Sequence, residues 1–155
     1  MTTHTDAPTN KASRSPRGLL LGLTGALLAL LILNLVVFDD LRIDSSAGLL
    51  ETFAKPQHLA SLLAVVIAGV LLAFKHGSAA RVAAVVAWIE MAAFTFFHLV
   101  PVEVGPSKPY WGEGTGDALQ WVGVVSILVA SAAIVAAARR TAKPSLASRA
   151  ATVSA

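Results

Sequence analysis

Three side chains could do acid–base or ligand chemistry inside an otherwise apolar sequence: Glu90, His98 and His58. Glu90 lies within "VAAVVAWIEMAAFTFFHLV", residues 82–100, nine residues past Arg81. At 1.5 Å per residue that is about 13 Å into a helix, close to the middle of a bilayer core about 30 Å thick. A charged side chain there costs about 2.5 to 3.5 kcal/mol on insertion scales, so Glu90 is expected to face protein or trapped water and to be protonated, bonded or paired. Ser126, at similar depth when counted from Asp117, is the expected bonding partner if Glu90 is purely structural. His98 follows eight residues later on the same broad face, with Phe94 and Phe97 between them. Histidine titrates near neutral pH, so Glu90 and His98 are the candidates for a catalytic acid–base pair.

His58 opens another apolar run and is expected at the same end as His98. Two neutral imidazoles with a loop carboxylate such as Glu103 or Glu113 would suit Zn, Fe or Cu, but no diagnostic ligand spacing is present. His58, His98 and Glu103 are therefore weak metal candidates, and no cofactor is specified. The connecting stretch "PVEVGPSKPYWGEGTGD", residues 101–117, is longer than usual connections and rich in proline and glycine, a pattern typical of binding loops. Tyr110, Trp111 and Trp121 fit the aromatic belt of a membrane interface. Asp117 with Gln120 three residues on reads as a helix N-cap and its capping-box partner. A binding pocket built from His58, Glu90, Phe94, His98, Glu103, Tyr110 and Trp111 is the resulting expectation.

The elements that must position these residues follow from composition. Of 155 residues, 55% are hydrophobic and 14% charged, above the apolar content of ordinary globular chains. Four apolar runs predict an all-α, four-transmembrane-helix integral membrane bundle with helices over about 17–38, 57–75, 81–100 and 117–138. The first run is too long for a signal-peptide core and lacks a small-residue cleavage pattern, so it is expected to be retained. Residues 1–16 and 139–155 lack an apolar face and read as disordered tails. A short interfacial helix is expected near Ser46, and the turn "KHGS" makes the second and third helices an antiparallel hairpin. The chain has no cysteine, which excludes disulfides and thiolate chemistry.

Nine of the twelve Lys and Arg residues fall before the first run, between the second and third, and after the fourth. The positive-inside rule then places both termini in the cytoplasm, N-in and C-in. The opposite connections carry a net charge of minus four, so the overall +3 is no nucleic-acid footprint. Gly18, Gly22 and Gly25 in the first run, and Gly123, Ser126, Ala130, Ala133 and Ala137 in the fourth, form small-residue stripes expected to seat a neighbouring helix of the same chain, or else an oligomer or partner membrane protein. The abundance of Ala, Val and Leu with little Ile or Lys suggests a GC-rich bacterial coding sequence.

The leading functional expectation is a small multi-pass plasma-membrane protein with a ligand- or partner-binding pocket at the outer mouth of the bundle, a lipid-like ligand being favoured. A second is a proton-coupled carrier in which Glu90 exchanges a proton for substrate; in size and helix count the chain resembles small four-helix exporters. A third is a membrane-embedded enzyme acting on a lipid or isoprenoid through Glu90 and His98.

Overall fold

The computed structural model describes residues 15–38, 55–100 and 118–142. They are helical throughout, with no strand among them, and four helices are long and apolar enough to cross a membrane. Helix α1 spans Pro16–Leu33 and runs on into a π-helical turn at Asn34–Phe38; α2 spans Pro56–Ala73; α3 spans Ala79–Phe94 and continues as a second π-helical turn at Thr95–Leu99; α4 spans Ala118–Ala142.

Local chemistry sets most of these ends. The Ser15 hydroxyl accepts from the Gly18 N–H at 3.1 Å, and Pro16 fills the first helical position, where its missing N–H costs no bond. Pro56 plays the same part in α2. That helix closes with a Schellman motif: the His76 N–H donates to the Leu71 carbonyl and the Lys75 N–H to the Leu72 carbonyl. Lys75 holds the left-handed position of the motif, at φ 58°, where glycine is usual. Past α3, Val100 is extended at φ −78° and ψ 123°, as the residue before a proline should be.

The helices pack in a ring, α1 on α2, α2 on α3, α3 on α4 and α4 on α1, with α1 also touching α3 across the diagonal. The core gathers Leu20, Leu27, Leu72, Ala83, Ala87, Ile127 and Ile134. Small alanines on α3 and α4 let their backbones approach, which is why that pair shares the most extensive contact. The outer surface is apolar as well: Ile67, Ile89 and Val129 are 54%, 60% and 63% exposed. A water-soluble bundle would present polar side chains there.

Two expectations about the helices change. The stripe of Gly18, Gly22 and Gly25 is no seam within the chain. A Cβ at Gly22 or Gly25 would meet nothing within 4 Å, and one at Gly18 would meet only the cap hydroxyl of Ser15. Gly69 of α2 does face α1, where a Cβ would stand 3.8 Å from Thr24 Cγ2, an ordinary van der Waals contact. The stripe on α4 does face inward, with Gly123, Ala130 and Ala137 buried. Helix α4 also continues through Arg139 and Arg140 to Ala142, into the stretch expected to be a disordered tail. Those two cations occupy its last turn, where they complement the negative end of the helix dipole. The expected interfacial helix near Ser46 and the cap at Asp117 lie outside the described residues.

Candidate functional site

The packed core fills the end of the bundle that carries the α2–α3 turn. At the far end α1, α2 and α3 separate around a cavity of about 630 Å³, to which α4 contributes no side chain. Its walls are mostly apolar: Leu31 and Leu35 from α1, Leu62 from α2, Ala93, Phe94 and Phe97 from α3 and its π-helical turn. Polar groups enter from all three helices, namely Asn34, then His58 and Ser61, then Glu90 and His98. Lys55 and Gln57 stand at the exposed start of α2.

Level along the bundle follows from counting away from the shared turn. Ser61 lies twelve residues before Ala73 and Glu90 eleven after Ala79, so both sit about 17 Å from the turn. They meet: the Ser61 hydroxyl donates to Glu90 Oε1 at 2.8 Å. The Glu90 residue is 3% exposed, and this bond fixes one carboxyl oxygen while the side chain still lines the cavity. The expected partner Ser126 is not used. It lies on α4 beside Trp121, Val122 and Val125 in a shallow surface depression. The carboxyl points from α3 toward α2 rather than α4.

The two π-helical turns both border the cavity. Asn34 and Leu35 begin the one on α1, and Phe97 and His98 belong to the one on α3. The wider turn closes with an i to i−5 bond, the Val100 N–H donating to the Thr95 carbonyl, and it redirects the side chains that follow. His98 stacks against Phe94 with ring centroids 5.4 Å apart and planes tilted by 40°. Asn34 is 2% exposed, and its Oδ1 meets no hydrogen-bond partner among the described residues.

Of the residues expected to form a pocket, His58, Glu90, Phe94 and His98 therefore line one cavity. Glu103, Glu113, Tyr110 and Trp111 lie outside the described residues. Among the described residues no three His, Asp or Glu side chains form a metal-binding group. The set of His58, His98 and Glu103 includes one residue outside that description. Sequence reasoning missed Ser61 and Asn34. Ser61 was recoverable, since it follows His58 by three residues on one helical face and matches Glu90 in level. Asn34 carried its own signal as the only side-chain amide in the first apolar run.

No protein-family model, no curated protein and no solved structure matches this chain.

Proposed function

We propose that the chain is a multi-pass plasma-membrane protein, with both termini and the α2–α3 turn in the cytoplasm, whose far-end cavity binds a lipid-like amphiphile from the outer half of the bilayer. Four apolar helices with apolar outward faces support insertion, and the clustering of Lys and Arg at the turn end supports the orientation. The observation that carries the binding reading is the cavity itself. It is large, walled by leucine, alanine and phenylalanine, and supplied with a few converging polar groups, the usual make-up of a small-molecule site. Ile89 lines it while 60% exposed, so the cavity reaches the bundle's side, where an acyl chain could enter.

A carrier is the second reading, favoured by the position of Glu90, eleven residues from Ala79 and nine from Leu99 in the third span. Against it, the core beneath the cavity is closed by Leu20, Leu72, Ala83 and Ala87, each at most 2% exposed. Carriage would require that packing to open. The enzyme reading is weaker: Glu90 and His98 are offset by about 12 Å along the helix, and the hydrogen bond that Glu90 makes is with Ser61 rather than with the imidazole.

Native mass spectrometry of the detergent-purified protein tests the proposal. A bound amphiphile should appear as an added mass on the wild type and be lost from Ala93→Phe, which fills the cavity from its wall. A wild-type chain that carries no adduct, even after incubation with the host membrane's extracted lipids, would leave the cavity without a ligand.

A further inference from the structure

The polar chemistry of the cavity is one-sided at depth. Ser61 has spent its proton on Glu90 Oε1, so what the deep tier still presents is the acid. The described residues place no cation against Glu90. The one lysine of the lining, Lys55, is exposed at the start of α2, six residues and about 9 Å before Ser61. A second acceptor, Asn34 Oδ1, is buried in the lining with no donor among the described residues. Two aromatic side chains, Phe94 and Phe97, line the same space, and aromatic rings attract cations. Among the described residues Asn34 Oδ1 has no donor and Glu90 no counter-charge, and with the aromatic walls they call for the same missing group.

We infer that the ligand of this cavity is an amphipathic amine: its ammonium pairs with Glu90, Asn34 Oδ1 accepts from its N–H groups as a second acceptor of the same cavity, and its chain lies along the Leu31, Leu35, Phe94 and Phe97 walls. This rests on the binding reading above and narrows it to one class of headgroup. An acyl chain ending in a carboxylate would set two acids together in an apolar space, and one ending in an alcohol would leave Glu90 without counter-charge.

The test is equilibrium binding of tritiated decylamine, decanol and decanoate to the full chain in nanodiscs of zwitterionic lipid, with empty nanodiscs subtracted. Equal chain length makes the headgroup the only variable. Decylamine should bind saturably and about tenfold or more tighter than decanol, a difference near 1.4 kcal/mol. Glu90→Gln should bring the two ligands level, and Asn34→Leu should weaken the amine several-fold and more than it weakens decanol. Should Glu90→Gln not fold, carbodiimide modification of Glu90 in the wild type replaces it, and N,N-dimethyldecylamine, a tertiary amine that forms no amide with the activated carboxyl, should protect at about a tenth of the decanol concentration. Equal binding of amine and alcohol, or tighter binding of decanoate, overturns the amine assignment while the cavity reading stands. Saturable binding by none of the three overturns both.

Discussion

The hydroxyl of Ser61 on α2 and the carboxyl of Glu90 on α3 are joined at 2.8 Å, one helix to the next, about 17 Å from the turn that links them. Below this bond the two helices share a filled core. Above it they part around the cavity. The pair therefore sits at the boundary between a part of the bundle built for packing and a part built around space, and it keeps one carboxyl oxygen fixed while the side chain faces that space.

The bond should be measurable as coupling. Side-chain hydrogen bonds between membrane helices average about 0.6 kcal/mol and reach about 1.7 kcal/mol. Ser61→Ala is expected to lower the free energy of unfolding in mixed micelles within that range. The same change in a Glu90→Leu background should cost close to nothing, because the acceptor has gone. Equal costs in both backgrounds would mean the two side chains do not interact energetically.

Two alanines on α3 should respond in opposite ways to the same enlargement. Ala93 lines the cavity, so Ala93→Phe has room and should leave stability within about 0.5 kcal/mol of wild type while abolishing ligand uptake. Ala87 is fully buried against the core, and overpacking there costs about 1 to 3 kcal/mol. Thermal unfolding of both variants checks the contrast. A stable Ala87→Phe would show the core to be looser than its burial implies.

Orientation can be read directly because the chain has no cysteine of its own. A side chain at Gly77 meets no atom within 4 Å, so Gly77→Cys should fold and report the side on which the α2–α3 turn lies. A membrane-impermeant maleimide should label it only after permeabilisation, and should label Lys108→Cys in intact cells. Labelling in the reverse order would invert the topology and move the cavity to the cytoplasmic leaflet.

Class and helix number were legible because they depend on run length and composition, which the apolar stretches state openly. The level of Glu90 was legible for the same reason, through rise per residue. Its neighbour was not: residue counting offers both Ser61 and Ser126, and only the direction in which α3 presents the side chain selects Ser61. The two π-helical turns escaped notice because one extra residue in a turn leaves no mark on hydrophobic periodicity. They nonetheless help to set where Asn34 and His98 point. The glycines of α1 showed where a neighbour could approach closely and left unsaid whether one does; in this bundle nothing lies within 4 Å of a Cβ built at Gly22 or Gly25.

Lys75 offers a test of the turn alone. A non-glycine residue in the left-handed region costs about 1 to 2 kcal/mol, and glycine gives back about 0.4 to 1 kcal/mol through the greater freedom of its unfolded chain. With φ at 58°, Lys75→Gly should therefore stabilise the protein by about 0.5 to 1 kcal/mol, and Lys75→Val should destabilise it. Denaturant unfolding in micelles resolves both. A destabilised glycine variant would indicate that the lysine side chain, rather than its backbone, holds the turn.

Asn34 should show stability and binding pulling apart. Its Oδ1 is buried with no donor among the described residues, and leaving such a group unsatisfied costs about 1 to 3 kcal/mol. Replacement by leucine, of similar size and matched to its neighbours Leu31 and Leu35, removes that cost, so Asn34→Leu should raise stability by about 1 kcal/mol. The same change should lower the affinity for decylamine, since the acceptor that meets the ligand's N–H groups has been deleted. A residue that weakens the fold yet strengthens the bound state is the expected mark of a binding site. If Asn34→Leu instead destabilises the apo protein, the amide is satisfied by ordered water, and the donor that Asn34 awaits need not come from a ligand at all.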